Sequence, residues 1–240
     1  MIILVDVGNT RTKYSFVNNG KQNYQQAVLN KCLTNSFLSD KFIGASRIIV
    51  ASVNHDEITD EISAWCQMNK ISYLQVVSED KKNNVVSGYK STSQLGVDRW
   101  LTLIGAAEIF PNRNVLIIDA GTATTIDFLA ATGKHQGGWI LAGIDTLISS
   151  VLTNTAQVQA NDKEKQSLAF GFNTSENVHN AAWAATVGSI NLAIAQVQGQ
   201  GIILDELIFT GGNGKLLSPL ISHQSTIIEE LVFRGLQAYI

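Results

Sequence analysis

The chain opens with ILVDVGNT at residues 3–10, and a matching stretch, LIIDAGTATT, stands near its middle at residues 116–125. In both stretches an apolar strand ends in Asp-x-Gly-Asn/Thr, and hydroxyl residues and a further apolar run follow. One such turn is typical of an ordinary hairpin, since glycine and asparagine are common turn residues. Two of them, each near the start of its own half, indicate a duplicated domain whose loops face one ligand. Carboxylates, backbone N–H groups and hydroxyls together suit a metal-bound polyphosphate, so the repeat predicts a phosphoryl-transfer enzyme.

Composition restricts the possible classes of protein. The 240 residues are 45% hydrophobic and 15% charged, which is typical of a well-folded globular chain and not of a disordered one. A net charge of −3 provides no basic field for nucleic acid or acidic lipid. Cys32 and Cys66 lie far apart and are most simply free thiols of a reducing compartment. No 18-residue apolar stretch occurs, and Asp6 interrupts the first apolar run, so we expect a cytoplasmic protein without a membrane partner.

Hydrophobic patterning predicts the same succession of elements in each half of the chain. We expect strands at 2–7, 12–17, 24–29, 47–51 and 73–77, with helices at 35–43 and from a cap at Asn54 or Asp56 to Met68. A helix from 98 to 110 ends before Pro111. We then expect strands at 114–119, 123–129, 136–141 and 204–209, and helices at 145–153, 175–198 and 230–239. Polar segments at 78–95 and 157–169 are a boundary loop and a candidate flexible loop. The prediction is two domains, 1–110 and 111–240, each with a mixed sheet and helices.

The first loop offers a complete set of groups for a phosphate. Gly8 lets the backbone approach an anion closely, and Lys13 supplies a positive charge. Asn9, Thr10 and Thr12 are neutral donors. Asp6, at the end of a strand, is placed to bind Mg²⁺ directly or through water. The alternative is a tight hairpin with solvated charges.

The second loop and a later glycine turn extend the pattern. Asp119 ends an apolar strand, where a carboxylate is costly unless a cation or donors meet it. Thr122, like the other threonines after it, is either a phosphate contact or simply a good strand residue. The stretch TGGNGK at 210–215 follows a strand and fits a nucleotide base or sugar, or else is a plain C-terminal loop.

A third segment, GVDRW at 96–100, stands at a helix start. Asp98 is there most simply an N-cap, with Arg99 an exposed helix residue. Alternatively, Asp98 accepts the proton of a substrate hydroxyl, while Arg99 keeps that carboxylate ionised and holds an anionic group. The four histidines do not pair at ligand spacing, so we predict no zinc site.

Together these segments resemble type III pantothenate kinases of the sugar kinase, Hsc70 and actin superfamily, over nearly the whole chain. The Asp-x-Gly loops indicate only the superfamily, whereas Gly96-Val97-Asp98-Arg99 matches the G-x-D-R segment that distinguishes this type. Gly137-Gly138 and Thr210-Gly211-Gly212 occupy the later positions of the pattern. Thr92 and Ala142 stand where the family often has proline, from which we expect a change in loop stiffness more than in activity.

The resemblance implies an α/β fold of two ribonuclease H-like (actin-like ATPase) halves, each a mixed β-sheet with flanking helices, and a cleft between them. It implies ATP-dependent phosphorylation of pantothenate to 4'-phosphopantothenate, the first step toward coenzyme A, in a homodimer whose pantothenate pocket lies near the dimer interface. Asp98 would be the proton acceptor, Asp6 the Mg²⁺ partner and Asp119 the partner of a monovalent cation, K⁺ or NH₄⁺. The remaining carried-over residues hold the phosphates of ATP (Asp6, Val7, Gly8, Asn9, Thr10, Arg11, Thr12, Lys13, Thr122) or line the pantothenate pocket (Tyr89, Gly96, Val97, Arg99, Thr174).

Other functions on the same scaffold stay open at this point. One is another small-molecule kinase of the superfamily, acting on a sugar, acetate or polyphosphate. A second is a nucleotide-binding accessory regulator that binds ATP without turnover, although Asp6, Asp98 and Asp119 are all present. An actin-like filament protein is disfavoured by the short chain.

Overall fold

The computed structural model describes residues 1–53, 56–154 and 165–240. Its strands are β1 (Ile2–Val7), β2 (Arg11–Asn18), β3 (Lys21–Gln22), β4 (Gln26–Leu29), β5 (Arg47–Ser52), β6 (Ser72–Gln75), β7 (Lys81–Lys82), β8 (Val85–Val86), β9 (Val115–Ala120), β10 (Ala123–Leu129), β11 (His135–Ala142), β12 (Glu206–Thr210) and β13 (Thr226–Ile227). Its α-helices are α1 (Asn35–Lys41), α2 (Asp56–Met68), α3 (Val97–Ile109), α4 (Ile144–Asn154), α5 (Thr174–Gly199), α6 (Gly214–Leu217) and α7 (Leu231–Gln237). Short 3-10 helices lie at Asn30–Cys32, Thr92–Gln94 and Ser218–Leu220.

Most predicted elements occur within a few residues of their expected bounds. The predicted strand at 24–29 is shorter, and the predicted loop at 78–95 contains the small β7–β8 hairpin and a 3-10 turn. The candidate cap Asn54 and residues 157–164 of the predicted flexible loop lie outside the described residues.

The chain divides into two compact units, one of residues 1–109 with 230–240 and the other of residues 110–229. The domain prediction of 1–110 and 111–240 differs from this division in its last segment, since 230–240 belongs with the first unit. The physical reason is a close crossing of α3 and α7. A Cβ at Gly105 would lie 2.5 Å from the Leu231 carbonyl oxygen, and one at Gly235 would lie 2.1 Å from that of Leu101. Glycine at both positions therefore lets the two backbones touch, which no local pattern reveals.

The first unit is built on a mixed sheet in the order β3-β2-β1-β5-β6, with β4 also paired to β2. β1 is antiparallel to β2 and parallel to β5. Successive side chains of a strand point to opposite faces. Ile3 and Val5 accordingly join a core with Phe42, whereas Leu4 joins a separate core with Leu101 on the other face. Asp6 shares the face of Leu4, which is the side covered by α3 and α7.

The second unit repeats this arrangement in the order β11-β10-β9-β12-β13. Its first three strands form an antiparallel meander, and β12 runs parallel to β9. Leu116, Ile118 and Ala120 pack with residues of α5 in one buried cluster, which leaves Asp119 on the opposite face of β9. The predicted fold class, α/β with a mixed sheet and helices in each half, is confirmed.

Candidate active site

The first Asp-x-Gly loop is the turn of the β1–β2 hairpin. The antiparallel register sets Lys13 directly opposite Asp6, so the two side chains lie on the same face. Inside the turn, the Gly8 N–H donates to the Arg11 carbonyl at 3.1 Å. The side chains of Asn9, Thr10 and Arg11 are exposed, whereas those of Val7 and Thr12 are fully buried.

Asn30 holds this loop and was absent from the sequence prediction. Its amide nitrogen donates to the carbonyl oxygens of Gly8 at 2.8 Å and Asn9 at 3.2 Å. Its amide oxygen accepts the hydroxyl proton of Thr12 at 2.9 Å. The available signal was the third predicted strand, because pairing of β4 with β2 sets Leu29 opposite Arg11 and so brings the next residue beside the turn.

The ionised form of the Asp6 carboxyl group is disfavoured by its surroundings. Desolvation by burial raises its pKa to about 6 from the ordinary 3.8, Asp98 raises it further, and Lys13 opposes the shift. Asp98 can act on Asp6 because the start of α3 packs on the face of the sheet that carries Leu4 and Asp6. A cation near the two carboxylates would therefore relieve an unfavourable charge.

Asp98 lies in the first turn of α3, where its Oδ1 accepts the backbone N–H of Arg99 at 2.8 Å. A Cβ on Gly96 would stand 2.6 Å from that oxygen, so glycine makes room for the carboxylate. Asp98 is not the N-cap, because α3 begins at Val97 and the Gly96 carbonyl accepts the first helical bond, from the Trp100 N–H at 3.0 Å. The side chain of Asp98 is partly exposed, as the alternative role of proton acceptor requires. A carboxylate at a helix N-terminus is stabilised in its ionised form, which a proton acceptor requires.

Arg99 is not an exposed helix residue, since only 4% of its surface is accessible. Its guanidinium Nη1 donates to the Tyr89 hydroxyl at 2.6 Å. The structure thus brings together Tyr89, Gly96, Asp98 and Arg99 from the predicted pantothenate set, whereas the side chain of Val97 packs in the core cluster with Leu4 and Leu101.

In the second loop, Asp119 has hydroxyl neighbours where Asp6 has a lysine. The strand register sets Asp119 opposite Thr125 on β10 and Thr210 on β12. Gly211 adopts a φ of +79°, and a Cβ there would lie 2.4 Å from Asp119 Oδ1. A side chain at position 211 would therefore displace the carboxylate.

Residues that follow β11 brace the second loop. The Gly143 N–H and the Thr146 hydroxyl both donate to the Thr122 carbonyl at 3.0 Å. A Cβ on Gly143 would be 2.3 Å from the Gly121 carbonyl oxygen. Thr122 thus uses its backbone to anchor the loop, and its side chain is exposed.

Thr174 begins α5 in the second unit. The side chain of the N-cap Asn173 accepts the Glu176 N–H at 2.9 Å, and the Glu176 carboxylate accepts the Phe172 N–H at 2.7 Å. These two bonds set the helix start in a variant of the capping box, in which the carboxylate accepts from the residue before the N-cap and not from the N-cap itself. Thr174 is exposed and lines a groove of about 420 Å³ between α4 and α5.

The structure contains no group of three His, Cys, Asp or Glu residues within 1–53, 56–154 and 165–240 that could hold a metal ion. A divalent ion at Asp6 would then depend on phosphate oxygens and water for its other ligands. Mg²⁺ is commonly bound in this way, by one or two carboxylates together with substrate phosphates and water. Among the histidines, His135 is buried and its Nε2 is paired with Asp127 Oδ1 at 2.9 Å.

Two mixed sheets of the same strand order, each with an Asp-x-Gly turn after its first strand, define the fold of actin-like ATPases and sugar kinases. Solved structures support this assignment at the level of fold. A protein of Campylobacter jejuni described as a Baf family transcriptional activator has a TM-score of 0.63 at 21% identity, covering 98% of this chain and 95% of that one. A protein of Sinorhizobium meliloti described as a 2-dehydro-3-deoxygalactonokinase has a TM-score of 0.62 at 13% identity, with coverage of 99% and 95%.

Sequence comparison narrows the class to one family. The family model described as type III pantothenate kinase matches residues 2–196. The type III pantothenate kinase of Colwellia psychrerythraea is 47% identical over the full length of both chains. This chain therefore belongs to the type III pantothenate kinase family, and it is a kinase. No α-helix in the part of the chain that the structure describes is long and apolar enough to cross a membrane.

Proposed function

We propose that this protein transfers the γ-phosphoryl group of ATP to the primary hydroxyl of pantothenate, which yields 4'-phosphopantothenate on the route to coenzyme A. Family membership supports the reaction. The observation that carries the assignment of the site is the grouping of Asp6, Lys13 and Asp98 on one face of the first sheet, beside the Arg99–Tyr89 pair.

Asp98 is the proton acceptor in this proposal. Phosphoryl transfer has a loose transition state, so the hydroxyl proton leaves late and the base need not be strong. The Arg99 N–H keeps Asp98 oriented, and the absence of a side chain at Gly96 leaves space for its carboxylate. Asp98 therefore orients the pantothenate hydroxyl and finally takes its proton.

The first loop holds the phosphates of ATP. Asn9, Thr10 and Arg11 present exposed groups, Gly8 is partly exposed, and Lys13 adds positive charge. The buried Val7 and Thr12 contribute through the backbone and through the bond to Asn30, which keeps the turn in shape. In the second unit, the exposed Thr122 side chain contributes a hydroxyl to the phosphates.

Mg²⁺ fits at Asp6, because a carboxyl group with a raised pKa gains from a neighbouring cation. Bound there, Mg²⁺ would neutralise charge on the phosphate oxygens. Asp119 suits a monovalent cation, K⁺ or NH₄⁺, because its strand neighbours Thr125 and Thr210 offer neutral oxygen atoms. Equal rates in K⁺ and Na⁺ at the same ionic strength would remove that role from Asp119.

Pantothenate binding falls to Tyr89, Gly96, Val97, Arg99 and Thr174. The guanidinium of Arg99 is permanently charged, and its bond to Tyr89 holds it in place. It can therefore form an ion pair with the carboxylate of pantothenate without further ordering. The exposed hydroxyl of Thr174 provides a further hydrogen-bonding group.

The protein is a cytoplasmic homodimer in this proposal. Phe170 and Phe172 are 97% and 98% exposed, and both precede the helix that lines the apolar groove between α4 and α5. Two exposed phenylalanines beside an apolar groove are a costly surface for a monomer. Phe172→Ser should shift the sedimentation coefficient from dimer to monomer, and Leu192→Ser, at an exposed leucine on α5, serves as the control.

The decisive experiment is an ADP-release assay with pantothenate, with Asp98→Asn beside the unaltered protein. The loss of a general base predicts a kcat reduction of roughly 10²–10⁴-fold, with ATP binding nearly intact. Near-normal turnover by the variant would remove Asp98 from the role. Turnover of glucose or acetate but not pantothenate would indicate another small-molecule kinase. ATP binding without turnover would indicate a nucleotide-binding regulator.

A further inference from the structure

Tyr239, which follows α7, bridges two separate parts of the first unit. The Trp100 indole Nε1 donates to the Tyr239 hydroxyl at 3.1 Å, and that hydroxyl donates to Glu79 Oε1 at 2.6 Å. Lys82 Nζ lies 4.1 Å from the centre of the Tyr239 ring. Trp100 has no exposed surface, so the bridge begins inside the core.

The two ends of this bridge are next to the two ends of the Gly96–Asp98 segment. Trp100 follows Asp98 by two positions on α3. On the other side, Glu79 follows Ser78, whose hydroxyl donates to the Leu95 carbonyl at 2.7 Å. Leu95 directly precedes Gly96. Tyr239 therefore joins two supports of the Gly96–Asp98 segment. One is Ser78–Glu79, which holds Leu95 just before the segment, and the other is α3, which continues after it.

The same bridge reaches Tyr89 through the loop that carries it. Asp80 accepts a hydrogen bond from the Thr92 hydroxyl through its carboxylate, and from the Ser87 N–H through its carbonyl at 2.9 Å. The Tyr89 N–H then donates to the Ser87 hydroxyl at 3.2 Å. Residues 78–95 form a closed loop, which contacts the Tyr239 hydroxyl through Glu79 and the Tyr239 ring through Lys82.

The Tyr239 hydroxyl is not needed to attach α7 to the first unit, because other contacts already do so. Leu231, Phe233 and Leu236 are buried to 1% exposure or less, and the close crossing at Gly105 and Gly235 adds contact along α3. The hydroxyl of Tyr239 is protonated at neutral pH and donates to Glu79, and burial first, and then this bond, raise its pKa further. A polar atom held this way between two segments orders them with respect to each other.

We propose that the Tyr239 hydroxyl is a positioning group for the pantothenate side of the site. It holds the 78–95 loop against the start of α3, so that Tyr89, Asp98 and Arg99 keep their mutual arrangement. This inference rests on the proposed function, since it assigns to Tyr239 a role in binding that substrate.

The test compares Tyr239→Phe with Tyr14→Phe in the full-length protein. Tyr14 also belongs to the first unit, where it is buried while Tyr239 is partly buried. Its hydroxyl donates to Gln26 Oε1 at 2.7 Å, but it packs in the cluster on the other face of the sheet. Loss of the bridge should raise the KM for pantothenate about tenfold in Tyr239→Phe, with the KM for ATP changed by less than about twofold. Tyr14→Phe should leave the KM for pantothenate unchanged.

Substitution of Glu79 provides a second measurement. Glu79→Ala should reproduce the KM increase of Tyr239→Phe, whereas Glu79→Gln keeps an acceptor oxygen and should restore a KM near that of the unaltered protein. Because both groups act through one hydrogen bond, the double variant Tyr239→Phe with Glu79→Ala should be no worse than either single variant.

The outcomes separate the inference from the function on which it rests. An unchanged KM for pantothenate in Tyr239→Phe and Glu79→Ala, with only a lower melting temperature, would overturn the positioning role and leave the kinase assignment standing. Equal KM increases in Tyr239→Phe and Tyr14→Phe would also overturn it. Failure of the unaltered protein to bind or phosphorylate pantothenate would instead sink the proposed function, and the inference with it.

Discussion

The two Asp-x-Gly loops share a sequence pattern and a place in their sheets, yet different contacts hold them. The first loop has Lys13 opposite its aspartate, and the side chain of Asn30 ties its backbone. The second has threonines beside Asp119, and close backbone packing at Gly143 and Gly211 ties it. The repeated strand order sets the position of each carboxylate, and the neighbours set its chemistry.

This contrast accounts for the different ligands that we propose. Lys13 and the carboxylates of Asp6 and Asp98 form a charged group suited to phosphates with a divalent ion. Neutral hydroxyls around Asp119 suit an ion of lower charge. The same hairpin pattern thus suits two different cations, according to the side chains next to its aspartate.

The largest expected effect is on the backbone packing of the second loop. Gly211→Ala places a Cβ against the Asp119 carboxylate in a left-handed conformation and should lower the free energy of unfolding by about 3–5 kcal/mol. The matched control is Gly201→Ala, at a φ of +75° with open space around it, which should cost only about 1 kcal/mol. Urea unfolding measures both. Similar losses in the two variants would mean that the close approach to Asp119 contributes nothing to stability.

An intermediate effect is expected at Asp6, in the first loop. Because its pKa in the folded protein is about 6, above the ordinary 3.8, the folded state binds a proton that the unfolded chain has lost between those values. This group therefore favours folding increasingly as the pH falls through that window, and its ionised form costs about 3 kcal/mol above it. Asp6→Asn should stabilise the ligand-free protein by that amount at pH 8, and not at pH 4, while it abolishes turnover.

The control for this pH dependence is Asp60→Asn, since Asp60 is exposed on α2. Thermal unfolding of both variants between pH 4 and pH 8 provides the comparison. A stability gain for Asp6→Asn that did not vary with pH would show that desolvation of the carboxylate is not its cause.

The smallest effect concerns the side-chain tie of the first loop. Asn30→Ala removes the bonds to Gly8, Asn9 and Thr12 and should cost about 1–2 kcal/mol of stability. It should also raise the KM for ATP, because the phosphate loop loses its support. Asn69→Ala is the control, as Asn69 likewise donates to a carbonyl, that of Trp65 at 2.9 Å. If both variants changed the KM for ATP equally, the tie would be unimportant to ATP binding.

Local patterns were enough for the elements and for the two hairpins. The apolar runs along β1 and β9 predicted the strands, and the aspartate and glycine at their ends marked the turns. The glycine at position 96 and the aspartate at 98 were visible as a motif, although only the structure showed that a side chain at 96 would collide with the Asp98 carboxylate. Arg99 was open to an exposed or a functional interpretation, and its burial against Tyr89 excludes the exposed one, while its functional role is a proposal.

The remaining features depend on contacts between residues far apart in the chain. Asn30 reaches Gly8 across 22 positions, and Trp100 meets Tyr239 across 139. Hydrophobic periodicity and turn chemistry act over a few residues, so they determine where strands, helices and loops form and which residues stand at their ends. They carry no information on which helix crosses which, and so the packing of α7 on α3 and the support of both loops emerged only when the buried surfaces were brought together.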